Sequence, residues 1–158
     1  MPRSETTNVV IAGLGGQGVL KVSDILAATV FRAGLDVKKS EIHGMSQRGG
    51  SVSSDVRFGS KVFSPMVPPG QADYLVVLAE TQVEVARPML KAGGVLIEPS
   101  QIDEARLANK KSLNVAMLGV LARHLDIAEN LFLEAIRAAL PEKLHAANLA
   151  AFALGKTS

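Results

Sequence analysis

The chain has 158 residues, 47% of them hydrophobic and 20% charged, with a net charge of +2. That is enough apolar material for a packed core, and too mild a charge to point to nucleic acid. Cys and Trp are absent and aromatics make up 4%, which excludes from this chain a disulfide, a Cys-ligated iron–sulfur cluster, a thiol nucleophile and a base-stacking platform.

The leading segment Met1 to Thr7 is short and polar, without the apolar core of a signal peptide. No run approaches the roughly 20 apolar residues that cross a bilayer, so a cytoplasmic protein with no membrane or nucleic-acid partner is expected. Asn8 to Leu14 reads as a buried strand, nearly continuous in apolar residues. Val19 to Ala33 reads as an amphipathic helix, and Gly34 ends it. Asp36 to Ile42 is a second strand. Gly50 to Phe58 alternates small and apolar residues, and with Lys61 to Phe63 it predicts a hairpin. After the Pro-rich turn 65–70 come a strand over Asp73 to Ala79, a helix over Gln82 to Lys91, a turn at Gly93-Gly94 and a strand over Val95 to Glu98. The last third is helical: Asn114 to His124, then a helix opened by a capping box at Asp126 to Glu129 and running to Leu140, then a last helix from Pro141 through Phe152. The pattern predicts one α/β domain over residues 1–158: a three-layer Rossmann-like sheet, mostly parallel with an inserted hairpin, followed by a C-terminal helical segment.

The chemistry concentrates in two segments. Gly13-Leu14-Gly15-Gly16-Gln17-Gly18 joins the first strand to the first helix. Glycines let backbone amides approach a ligand closely, and the helix N-terminus adds the positive end of its dipole, a combination suited to a pyrophosphate. The same turn with no ligand is the plain alternative. Glu41 lies where a ribose-binding acid of a dinucleotide site would stand, leaving open a free-standing NAD(P)-binding reductase domain. The second segment, Gly44-Met45-Ser46-Gln47-Arg48-Gly49-Gly50, offers hydrogen-bond donors, a guanidinium for phosphate or carboxylate, and two glycines. Its plain alternative is a solvated loop. His43, His124 and His145 have no ligand spacing, and Lys38-Lys39 and Lys110-Lys111 read as solvated faces. No catalytic acid, base or nucleophile stands out.

Together with Ser112-Leu113-Asn114-Val115-Ala116-Met117-Leu118-Gly119 and Asn148 to Gly155, these segments resemble the gamma-type subunits of 2-oxoacid:ferredoxin oxidoreductases, most of all the small (beta) subunit of the indolepyruvate enzymes. The resemblance implies oxidative decarboxylation of an aryl 2-oxoacid to an acyl-CoA by a hetero-oligomer. This subunit would be inactive alone and would contribute the coenzyme A surface. It implies that Gly13, Gly15, Gly16, Gln17 and Gly18 take the CoA pyrophosphate, while Ser46, Gln47, Arg48, Gly49 and Gly50 line the neighbouring wall. Thiamine diphosphate, Mg²⁺ and iron–sulfur clusters would sit in a larger partner subunit, which passes electrons to ferredoxin. This chain itself has no Gly-Asp-Gly thiamine motif. Between Pro99 and Ser112 the family carries a longer stretch, so a reduced second half of the sheet is expected.

Overall fold

The computed structural model describes residues 5–43 and 50–158, with only the backbone of His43. Its strands are β1 (Thr6–Leu14), β2 (Asp36–His43), β3 (Ser51–Gly59), β4 (Ala72–Val77) and β5 (Leu90–Ile97). Its helices are α1 (Val19–Arg32), α2 (Val83–Ala86), α3 (Leu113–Ala122), α4 (Glu129–Ala139) and α5 (His145–Lys156). The strands form one sheet in the order β2-β3-β1-β4-β5. β1, β4 and β5 are parallel, and β3 lies antiparallel between β1 and β2. β1 is central because its run Val9-Val10-Ile11 is apolar on both faces, and all three residues are buried.

The two faces are covered unequally. On one, Val9, Ile11, Val56, Val76 and Ile97 pack under α1, α3, α4 and α5. On the other, Val10, Ala12, Leu75 and Val77 meet Val67, the short α2 and Met89 just beyond it. α3 is buried on nearly every residue, which explains a sequence apolar all round rather than on one stripe. Phe132 of α4 and Phe152 of α5 meet with ring centroids 5.3 Å apart.

Four expectations are corrected. The hairpin pairs β3 with β2, not with 61–63. Both edges of β3 are already occupied, so no edge remains for Lys61 to Phe63. The chain instead leaves the sheet, Val62 N donating to Asp36 Oδ2 (2.8 Å), and reaches the thinner face at Val67, whose N donates to Asp55 Oδ2 (2.9 Å). The helix over Gln82 to Lys91 shrinks to the single turn of α2 between two 3-10 turns, the second containing Pro88, which cannot donate a helical bond. Gly93-Gly94 lies inside β5, where the register shifts from Ala72↔Leu90 to Tyr74↔Val95 and Gly93 takes φ 81°. The capping box at Asp126 does not form. Ile127 packs against the core instead, and α4 starts at Glu129 with Ala128 as its uncapped N-cap.

Asp55 is 2% exposed on the thinner face, and burial raises its carboxyl above the ordinary value against the opposing Val67 N–H and the nearby Arg57 charge. Its folded value lies above the unfolded one, so folding favours the protonated form. That contribution is present below the ordinary carboxylate range and is lost as pH rises through the folded value. Asp55→Asn keeps an acceptor for Val67. It is expected to raise the melting temperature at neutral pH and to flatten the stability profile just above the carboxylate range. A lower neutral melting temperature would show that the charge–amide bond outweighs burial.

Candidate functional site

The site begins where β1 stops. Leu14 is its last residue, and the chain must turn within four residues to start α1. Gly16 (φ 88°) and Gly18 (φ 82°) supply left-handed backbone that residues with a Cβ rarely adopt. Gly18 is the N-cap of α1, with no side-chain cap and no acid in the first helical turn. Asn114 of α3 presses on it: its Nδ2 donates to Gly18 O (3.2 Å), and a Cβ at Gly18 would collide with that amide.

Some of the turn's amides are occupied. Gly15 N donates to Gly50 O (3.0 Å) and Gln17 N to Leu14 O (3.2 Å). The amides of Gly16, Gly18, Val19, Leu20 and Lys21 donate to no carbonyl among the described residues. They form the open positive end of a 14-residue helix, the geometry that binds an anionic oxygen. The Gln17 side chain, which the resemblance implies takes the pyrophosphate, is turned inward. Its Oε1 accepts from Leu14 N (2.7 Å) and its Nε2 donates to Leu78 O (3.3 Å), fastening the ends of β1 and β4. Gly13 lies beneath that latch, where a Cβ would come within 2.9 Å of Gln17 Oε1. These two residues thus shape the turn from below.

Two clefts flank the turn. One, of about 390 Å³, is bounded by Gly16, Gly18, Leu78, Lys110, Lys111 and Asn114. The other, of about 370 Å³, is bounded by Gly15, Gly16, Leu20, Lys21 and Val52. No carboxylate among the described residues lines either. Both sit at the carboxyl end of β1, where open α/β sheets bind ligands. The sequence reading gives Lys110 and Lys111 only as a solvated face and does not place them beside the glycine turn. A 3-10 turn at Lys110–Ser112, with Asn109 Oδ1 accepting from Lys111 N (2.9 Å), delivers them just ahead of α3. The contact between Asn114 and Gly18 and the cleft shared with Gly16 show that this turn faces the glycines.

Ser46, Gln47, Arg48 and Gly49 lie outside the described residues. The flanking residues are described: Leu14 pairs with Ser51, and Gly50 O holds Gly15 N, so the second segment re-enters the sheet beside the glycine turn. Glu41 does not stand where a dinucleotide site needs it. β3 separates β2 from β1, and the Glu41 carboxylate is bound to Lys39 Nζ (2.7 Å). His145 holds the end of α4, its Nε2 2.7 Å from Leu140 O. Beyond β5, residues 99–112 form only three 3-10 turns and add no strand, as the shortened stretch implied. No helix among the described residues is long and apolar enough to cross a membrane.

The sequence profile of the family described as pyruvate ferredoxin/flavodoxin oxidoreductase matches residues 8–158. Indolepyruvate oxidoreductase subunit IorB of Thermococcus kodakarensis is 35% identical over 190 aligned positions, covering 94% of this chain and 93% of that one. The gamma subunit of a keto/oxoacid ferredoxin oxidoreductase from Geobacter sulfurreducens superposes with a TM-score of 0.81 at 22% identity, over 96% of this chain and 94% of that one. The 2-oxoglutarate:ferredoxin oxidoreductase of Magnetococcus marinus, solved with 2-oxoglutarate, coenzyme A and succinyl-CoA bound, superposes with a TM-score of 0.83 at 21% identity; this chain spans 31% of its length. The chain therefore belongs to the pyruvate ferredoxin/flavodoxin oxidoreductase family, as a gamma-type subunit of a 2-oxoacid:ferredoxin oxidoreductase.

Proposed function

We propose that this chain is the coenzyme A-binding, non-thiamine subunit of an oxidoreductase that converts an aryl 2-oxoacid such as indolepyruvate to its acyl-CoA. The observation that carries the reading is the set of open amides at Gly16, Gly18 and the first turn of α1, bordered by clefts without a carboxylate. A diphosphate needs several donors converging at short range and no competing anion, and those are the groups present. Gly15, Gly16 and Gly18 line the diphosphate pocket, Gln17 and Gly13 hold its shape, and Gly50 anchors the second segment against it. On the family resemblance, Arg48, with Ser46, Gln47 and Gly49, is assigned to the neighbouring wall.

The division of labour follows from what the chain carries. Without cysteines it holds no thiolate-ligated cluster, and it has no Gly-Asp-Gly motif for thiamine diphosphate and Mg²⁺; we assign all three to a larger partner, which delivers electrons to ferredoxin. This subunit binds and orients the thiol carrier. The indolepyruvate assignment rests on the name of the Thermococcus relative.

The test is to co-purify the tagged chain with its partner and assay indolepyruvate oxidation against CoA concentration. A stable complex with a larger thiamine-binding chain, saturable in CoA, is expected. Arg48→Ala in that complex is expected to raise the apparent KM for CoA by about 10- to 100-fold, the usual range for losing one charged hydrogen bond. A chain that binds NADH tightly and ignores CoA would overturn the reading, as would an unchanged CoA dependence in Arg48→Ala for that wall.

A further inference from the structure

The thinner face of the sheet holds a cavity that takes no part in the site at the glycine turn. It measures about 210 Å³ and lies between β1, β3 and α2, with apolar walls of Val10, Ala12, Val52, Val85 and Met89. Ser51 Oγ donates to Gln82 Oε1 (2.6 Å) at its border. Asp55 is the one acid in the lining, and no Lys, Arg or His among the described residues lines it. Small-molecule pockets measure roughly 300–1,000 Å³, so this cavity suits a single long side chain better than a cofactor.

The rim is apolar and uncovered. Five large hydrophobic side chains are exposed among the described residues, and three belong here: Ile42 and Val85 line the cavity, and Met66 precedes Val67, which packs on this face. Of the others, Phe31 stands on α1 across the sheet, and Lys61 Nζ lies over the Phe63 ring. Asp55 is 2% exposed, and its Oδ2 accepts from Val67 N. The Arg57 guanidinium, two residues on, donates instead to Asn8 Oδ1 and Ser64 O, both at 2.8 Å. A carboxylate buried among apolar walls without an ion pair destabilises the free chain, and a cation brought to it removes that penalty.

The chain is a subunit of a multi-subunit oxidoreductase. A stable subunit contact takes roughly 800 Å² from each partner, with an apolar centre and anchor side chains seated in pockets. The thinner face offers the apolar centre and the pocket together. Charge complementarity then sets the anchor: an aliphatic stem against Val10, Val52 and Met89, and a positive head at Asp55.

We propose that the thinner face docks the larger subunit of the oxidoreductase, which inserts a lysine or arginine between β3 and α2 to pair with Asp55. The inference rests on the reading of this chain as the partner of a larger thiamine-bearing subunit. It gives the buried carboxylate a use, since its charge is compensated only in the complex.

The experiment measures association of the full chain with the larger subunit, isolated with its thiamine diphosphate and clusters, for wild type, Asp55→Asn, Val85→Lys and Phe31→Asp. Asp55→Asn is expected to weaken association about 30-fold while the melting temperature of the free chain does not fall, a pair of effects that a purely structural carboxylate would not give. Val85→Lys, on the rim and 63% exposed, is expected to weaken association at least about tenfold, and Phe31→Asp to leave it unchanged. At saturating concentrations of each variant the apparent KM for CoA is expected to match wild type, because the glycine turn is untouched. Wild-type affinity in Asp55→Asn would overturn the cationic anchor. Weakening by Phe31→Asp with Val85→Lys unaffected would move the contact to the helix-covered side. A chain that self-associates through Val85 and ignores the larger subunit would assign the face to a second copy, and a raised KM for CoA with association intact would assign it to the carrier. Wild type that associates with no such subunit would overturn the reading of the partner itself, whereas wild-type association indifferent to all three substitutions would overturn this face alone.

Discussion

Gly16→Asp is expected to weaken coenzyme A on the order of 100-fold in the assembled enzyme, while Gly16→Asn costs less than about tenfold. The position allows a clean comparison. Gly16 has φ 88°, and a Cβ there meets nothing within 4 Å, so both side chains fit. Asn and Asp tolerate left-handed backbone better than other residues, and they pay the same conformational penalty. They differ in charge. A carboxylate placed about 5 Å from a bound diphosphate repels it by about 3 kcal/mol at an effective dielectric near 20. The measurement is the apparent KM for CoA with kcat at saturation. A rise in KM with kcat retained means that binding of the carrier was lost and the chemistry in the partner was not. Equal effects of Asp and Asn would mean that only backbone strain had been perturbed, and the anion site would have to be sought elsewhere.

Gly155→Ala is expected to lower stability by about 3 kcal/mol, or roughly 10 °C in melting temperature for a chain of this size. α3 and α5 pack backbone against backbone. A Cβ at Gly155 would overlap the Ala116 carbonyl oxygen, and one at Gly119 would overlap the Phe152 carbonyl oxygen. Neither obstacle is a flexible side chain, so the helices must separate, and separation loosens the Phe132–Phe152 contact and the buried faces of Leu118 and Leu121. Gly34→Ala is the comparison. Gly34 takes φ 87° with nothing within 4 Å of a Cβ, so its cost is backbone strain of about 1 kcal/mol without steric overlap. A thermal melt in which the two variants behave alike would show that α3 and α5 have room to relax.

Motifs carried by local chemistry were legible. The glycine turn was identifiable because a buried strand, glycines at left-handed positions and an amphipathic helix follow one another without interruption, each recognisable by its own period or backbone need. Elements that depend on competition between segments were not. Lys61 to Phe63 have the composition of a strand, yet β3 has no free edge to offer them. Asp126 to Glu129 spell a capping box, yet burying Ile127 outweighs the cap. The helical pattern of Gln82 to Lys91 is cut by Pro88, whose ring leaves no N–H for the helical ladder.

The site divides along the same line. Order along the chain dictates that a strand running into Gly15, Gly16 and Gly18 exposes amides at a helix start, because that geometry arises within a dozen consecutive residues. Order along the chain does not reveal that Gln17 turns inward to Leu14 and Leu78, or that Lys21, Lys111 and Lys143 share a groove. Those lysines lie about ninety and thirty residues apart and meet only because Asn114 docks α3 on Gly18 and α5 packs on α3. Local backbone preference determined the turn; which distant charges surround it was decided by helix packing, since a side chain's neighbours across the fold leave no periodic trace in its own segment.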